Sequence, residues 1–132
     1  MARILIAEDE PQIRSAIAEI VSGAGHETHE TFDGIGALYD AKELKPDVLL
    51  LDWMIPEMFG GEILDHIRND DEYSDIKDTI VIIVSDFEDE TSREKFVAAG
   101  ANEYVAKRDD PDQMKADLLG AIQRLLDERA SG

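Results

Sequence analysis

Five side chains in this 132-residue sequence have the types and spacing to do chemistry, and each follows an apolar run. Glu8 and Asp9 follow Ile4-Leu5-Ile6-Ala7. Asp52 follows Val48-Leu49-Leu50-Leu51, Ser85 follows Ile80-Val81-Ile82-Ile83-Val84, and Lys107 follows Tyr104-Val105-Ala106. Three carboxylates brought together repel one another unless a counter-ion joins them. A hard divalent cation relieves that repulsion, and Mg2+ typically takes roughly one or two carboxylates while keeping several waters. Lys107 offers a positive charge on a flexible stem, suited to gripping a phosphoryl or carboxylate oxygen. Ser85 offers a hydroxyl that can donate to the same oxygens. A carboxylate in such company is equipped to attack phosphorus and become an acyl phosphate. Taken singly, each residue has an ordinary explanation: acids opening a helix offset its macrodipole, and a serine after a strand forms a turn. Their joint occurrence at strand ends argues for one site.

The elements that must position these groups follow from the apolar pattern. Unbroken aliphatic runs bounded by proline or loop residues read as strands buried on both faces, as in a parallel sheet. Arg3 to Ala7, Val48 to Asp52 and Thr79 to Val84 are of this kind, with a short last strand at Glu103 to Ala106 and a more polar edge strand from His26 to Phe32. Helical spacing recurs between them. Pro11 opens a helix with Asp9 or Glu10 near its N-cap, and that helix stops at Gly23-Ala24-Gly25. A second helix follows Asp33 and reaches about Leu44, a third runs from about Gly61 to Asn69, and a fourth from Glu88 to Ala99. The last opens at Asp110-Pro111 and ends near Asp127-Glu128-Arg129; Asp70 to Asp78 reads as an irregular solvated connection. Alternation of this kind with right-handed crossovers predicts an α/β fold: a doubly wound, five-stranded parallel sheet with five helices, flavodoxin-like, forming one domain over 1–132. In open sheets of this kind ligands bind beyond the C-terminal strand ends, where the five chemical groups collect.

Composition narrows the function classes. Thirteen Lys and Arg against 31 Asp and Glu give a formal charge of −18, which repels nucleic acid and anionic lipid and favours basic partners. There is no cysteine, hence no disulfide framework and no thiol nucleophile. No apolar stretch approaches the length of a membrane span, and Met1-Ala2-Arg3 leads into a strand rather than a signal peptide, so a cytoplasmic location is expected. The histidines at 26, 29 and 66 share no cleft in this arrangement and read as surface residues.

The sequence resembles the receiver domains of two-component response regulators, stand-alone chemotaxis regulators among them. The resemblance is carried by Ile4 to Glu10, Pro46 to Pro56, the strand closing at Ser85, and Gly100 to Lys107, and it covers essentially the whole chain. It implies that Asp52 accepts a phosphoryl group from a histidine kinase or phosphotransfer protein. Asp9 and Asp52 would ligate Mg2+ with the Met54 backbone carbonyl, Glu8 acting through water. Lys107 would hold the phosphoryl group, Ser85 would move in to bond it, and Tyr104 would be the aromatic switch that turns inward. An effector would dock on the fourth helix, last strand and last helix. The domain would promote its own phosphorylation and dephosphorylation without being an enzyme in the usual sense.

Three departures from the family pattern shape the expectations. Glu8 stands where the shorter Asp is more usual, so Mg2+ affinity should be altered but retained. Asp86 follows the switch serine where a small residue is common, and should repel an incoming donor. Arg108 follows Lys107 where a cis proline is usual; a cis bond before a non-proline costs about 2.5–4 kcal/mol, so a trans bond and a rearranged loop are expected. Rival readings are weaker. An aspartate-nucleophile phosphatase usually has a second Asp two positions on, where Met54 stands, and a flavodoxin-like cofactor binder needs a phosphate-cradling loop where Glu8-Asp9-Glu10 would repel phosphate. A degenerate receiver, acting as a phosphorylation-independent interaction module, is the remaining alternative. The sequence is equally compatible with a stand-alone regulator and a receiver excised from a longer chain.

Overall fold

The aliphatic runs become strands. The computed structural model describes residues 1–86, 90–107 and 110–131. Strands β1 (Arg3–Ala7), β2 (Glu27–Thr31), β3 (Val48–Asp52), β4 (Ile80–Ser85) and β5 (Glu103–Ala106) form one sheet in the order β2-β1-β3-β4-β5. Every pairing is parallel. Helices α1 (Pro11–Gly23), α2 (Gly34–Leu44), α3 (Gly60–Asn69), α4 (Glu90–Ala98) and α5 (Pro111–Ser131) connect and close it. This is the doubly wound, flavodoxin-like arrangement expected from the alternation of strands and helices.

Why the central strands form is visible in their burial. Every residue of β3 and β4 is buried, and period-two alternation sends neighbours to opposite faces. Ile4, Ile6, Val48, Leu50, Ile82 and Val84 pack under α1 and α5. Leu5, Leu49, Leu51, Val81 and Ile83 pack under α2, α3 and Phe96 of α4. In β2, by contrast, only Thr31 is buried, as an edge strand with one neighbour allows. Asp33 caps α2 by accepting the Gly36 amide at 2.6 Å, and Asp110 accepts the Asp112 and Gln113 amides before Pro111 at the start of α5.

Several local expectations are corrected. Asp70 to Asp78 is not irregular: a 3-10 helix spans Asp71–Ile76, capped by Asp70 and pinned by buried Ile76. Glu10 takes the α1 N-cap, as expected, although its side chain makes no capping bond. Helix α5 runs two residues past Arg129. The histidines are half-buried and engaged rather than free on the surface: His26 Nδ1 accepts the Ala2 amide, His29 pairs with Glu27, and His66 pairs with Asp70. The expected start of the fourth helix at Glu88 and the expected trans bond and loop rearrangement at Arg108 lie outside the described residues.

One side chain fastens the lower half of the sheet. Arg68, at the end of α3, donates to the carbonyls of Gly100, Lys77 and Thr79 and to Asn102 Oδ1, at 2.7–3.0 Å. Asn102 Oδ1 also accepts the Val81 amide at 2.8 Å, so the same network reaches β4. Burial lowers the guanidinium from its ordinary value. Replacing Arg68 with methionine leaves several partly buried carbonyls unpaired and is expected to cost about 3 kcal/mol. A urea midpoint unchanged from wild type would show that water substitutes for the guanidinium.

Candidate functional site

The C-terminal sheet edge gathers the five chemical groups because parallel strands end on one side. Glu8 and Asp9 leave β1, Asp52 ends β3, Ser85 ends β4, and Lys107 follows β5, its amide donating to the Ser85 carbonyl at 2.7 Å. Carboxylate oxygens of Glu8, Asp9 and Asp52 lie within 4.8 Å of one another. Asp9, Glu10, Asp52, Met54, Ser85, Asp86 and Lys107 line a crevice of about 170 Å3. Glu8, at 1% exposure, is buried beside the lining residues Asp9, Asp52 and Lys107.

Lys107 holds the acids together. Its Nζ lies 2.8 Å from Glu8 Oε1 and 3.4 Å from Asp52 Oδ2, and all three side chains are buried. The closer contact is an ion pair rather than an aligned hydrogen bond. Burial by itself would lower the ammonium, but the Glu8 contact and the charges of Asp52, Glu8 and Asp86 raise it above the ordinary lysine value. Burial, reinforced by the neighbouring Asp52 carboxylate and opposed by Lys107, pushes the Glu8 carboxyl from 4.5 up to about 7. Glutamate reaches the ammonium more closely than Asp52 does, a pairing that sequence spacing alone does not reveal.

The loops around the crevice are fixed by backbone groups. The Met54 amide donates to Asp52 Oδ1 at 3.1 Å, which orients the carboxylate. The Glu8 amide donates to the Thr31 carbonyl at 3.1 Å, and Arg14, one turn into α1, donates to the Glu8 carbonyl at 2.9 Å while pairing with Glu30. Arg14 was not anticipated as part of this site; its signal is a cation facing back from the first turn after an acidic loop.

A divalent cation fits this donor set. The three converging groups are hard oxygen donors, and the single ammonium among them leaves the cluster with excess negative charge. Asp9, less buried than Glu8 and Asp52 and lining the crevice, is open to such an ion.

Tyr104 lies apart from the crevice, on the β5 side, with its hydroxyl oxygen buried. Its ring packs at 5.4 Å from Phe96, whose other neighbour is Trp53 at 4.6 Å. Lys95 stands over the Trp53 ring at 5.7 Å. Trp53 directly follows Asp52, so one aromatic row links the crevice loop, α4 and β5. Phe96 is the one side chain that α4 buries among its described residues. Tyr104 also lines a groove of about 490 Å3 between α4, β5 and α5, where Glu103 pairs with Arg93 of α4 at 3.0 Å and with Arg124 of α5.

Known proteins share this architecture. The family model of the response regulator receiver domain matches residues 4–119. The phosphate regulon transcriptional regulatory protein PhoB of Escherichia coli is 28% identical over 123 residues, covering 93% of this chain and 52% of the relative. Chemotaxis response regulator CheY4 of Vibrio cholerae superposes with a TM-score of 0.80 at 27% identity, covering 94% of this chain and 98% of that one. The receiver domain of the Pseudomonas aeruginosa sensor histidine kinase PA1611, crystallised with a magnesium ion coordinated in its active site cleft, gives 0.80 at 26% identity over 93% and 95% of the two chains. This chain spans about half the length of the first curated relatives it matches.

Proposed function

Because the chain belongs to the response regulator receiver domain family, we propose that it is a signalling receiver in which Asp52 takes a phosphoryl group from a histidine kinase or phosphotransfer protein. The observation that carries this reading is the convergence of Glu8, Asp9, Asp52, Ser85 and Lys107 on one crevice at the strand ends. An Asp52 carboxylate oxygen forms the new bond to phosphorus as the bond from phosphorus to the donor's histidine nitrogen breaks. Lys107 neutralises one oxygen of the transferred group, and the Ser85 hydroxyl donates to another. Asp9 and Asp52, with the Met54 carbonyl and with Glu8 through water, would hold Mg2+, which supplies charge neutralisation to the phosphoryl oxygens. Hydrolysis of the acyl phosphate at the same crevice returns the resting state, so the domain assists both its own phosphorylation and its own dephosphorylation.

The readout we assign is the face of α4, β5 and α5. Tyr104, half-buried against Phe96, and the Glu103 bridges to Arg93 and Arg124 would couple that face to a shift of Phe96 and Trp53. An effector protein docks there, in the cytoplasm; no described helix is long and apolar enough to cross a membrane.

Intact mass after incubation with acetyl phosphate and Mg2+ tests the reading. One phosphoryl group is gained by the wild-type chain, and none with EDTA or in Asp52→Asn. No gain, with the fold intact, would favour an interaction module that works without phosphorylation. Asp86 is exposed at the crevice mouth and adds a carboxylate near the entering phosphoryl group. Asp86→Ala is expected to raise the acetyl-phosphate rate about fivefold, corresponding to ~1 kcal/mol between exposed charges. An unchanged rate would show that Asp86 does not oppose the donor.

A further inference from the structure

Large exposed apolar side chains are few here and unevenly spread. Of the seven among the described residues, five (Phe32, Ile35, Tyr39, Met54 and Phe59) lie on the β2–α2 turn, the outer side of α2, and the β3–α3 loop. These segments are joined at Gly34. Its amide donates to the Pro56 carbonyl at 2.9 Å, and a Cβ there would sit 2.6 Å from Met58 Cβ. Ile35 and Tyr39 stand one turn apart on α2, so they share a face. The outward surface of α1, at the opposite side of the crevice, presents Gln12, Ser15, Ala16 and Glu19 instead.

The loop that completes this patch departs twice from what local stability favours. Phe59 occupies the N-cap of α3 and makes no capping bond, where Ser, Thr, Asp or Asn would satisfy a helix amide. Glu57 holds φ of 73°, a conformation that glycine adopts without strain and other residues do not. Such departures, where a sequence otherwise agrees with its fold, are expected at functional surfaces.

Charge selects the occupant. Asp33, Asp40, Glu43, Glu57 and Glu62 lie on or next to the same turn, helix and loop segments, the last three exposed, while Lys42 is turned to Glu72 at 3.4 Å and to the Tyr73 ring and Lys45 to Asp75 at 3.8 Å. A second copy carries the same −18, and nucleic acid and anionic lipid are repelled likewise. We infer that the α2 and β3–α3 surface is a docking site for a partner protein presenting a basic amphipathic helix, its apolar stripe on Phe32, Ile35, Tyr39 and Phe59 and its Lys and Arg against the acidic rim. This site is distinct from the α4–β5–α5 face and stands whether or not Asp52 is phosphorylated.

The test is a nitrogen-15 NMR titration of the whole chain with two synthetic peptides of one composition. One is a Lys/Arg- and Leu-rich 18-mer with a continuous apolar helical stripe; the other has the same residues dispersed. The striped peptide is expected to bind at least tenfold tighter, with shifts centred on residues 32–39 and 54–62. Ile35→Ser and Phe59→Ser should each weaken it at least fivefold, whereas Val97→Ser, an exposed apolar position on α4, should not. Glu57→Gly and Phe59→Ser should at the same time raise the urea midpoint, which separates a docking role from a structural one. Equal binding of both peptides, or shifts centred on α4, would overturn the assignment. So would a dimer in sedimentation that Ile35→Ser dissolves, since the second copy would then be the occupant.

Discussion

Lys107→Met is expected to cost the metal-free protein about 3–5 kcal/mol at about pH 8, and distinctly less at about pH 6. The ammonium lies within 2.8 Å of Glu8 and 3.4 Å of Asp52, and both carboxylates are buried. Removing it leaves two like charges in a site with little water, which is why breaking a buried pair costs more than the pair contributes. Glu8 limits the damage by taking a proton, and its carboxyl, already pushed up to about 7, rises further once Lys107 no longer opposes the shift. Protonation is easy at the lower pH and difficult at the higher, which sets the sign of the difference. Mg2+ should restore most of the loss, because a dication replaces the missing positive charge. Urea unfolding at the two pH values, with and without Mg2+, reads all three effects. A loss independent of both pH and Mg2+ would mean that the lysine stem matters only for packing.

The second large effect is a proton linked to folding. Glu8 has its carboxyl raised from 4.5 to about 7, so the folded chain holds a proton that the unfolded chain has released. A raised acid contributes stability that is full below the unfolded value and is lost as pH climbs through the folded one. Metal-free protein should therefore lose on the order of 3 kcal/mol between about pH 4.5 and pH 7, each pH unit being worth about 1.4 kcal/mol. Glu8→Gln should flatten that slope. Mg2+ must displace the same proton, so its affinity should weaken as pH falls below about 7, with proton release detectable by calorimetry in two buffers of different ionisation enthalpy. A slope unchanged in Glu8→Gln would assign the linkage to another group.

Much of the fold was legible because β1, β3 and β4 are buried on both faces, and burial of that kind leaves continuous aliphatic runs in the chain. The parallel order then follows from alternation, and strand ends identify the edge where Glu8, Asp9, Asp52, Ser85 and Lys107 meet. What was not legible depends on reach and on backbone detail. Whether Lys107 prefers Glu8 or Asp52 turns on one methylene and on rotamers across three strands. The 3-10 helix at Asp71–Ile76 has one buried apolar residue and no period to read. The left-handed Glu57 and the uncapped Phe59 contradict the residue preferences that make turns and helix starts predictable, so the sequence argued against them. Tyr104 was anticipated, but its Phe96 neighbour was not, because a single phenylalanine in a polar helix gives no direction.

Among its described residues, helix α4 buries only that one phenylalanine, and this sets how the surface can diverge. A helix held by many buried residues can change few of them without loss of the core, whereas here Thr91, Arg93, Glu94, Lys95, Val97 and Ala98 are all exposed. Exposed substitutions usually alter stability by less than about 0.5 kcal/mol. Duplicated copies of this gene can therefore acquire new α4 surfaces by a handful of nearly neutral steps while the crevice at the strand ends stays as it is. Insulation between parallel signalling lines then requires little rebuilding of the fold.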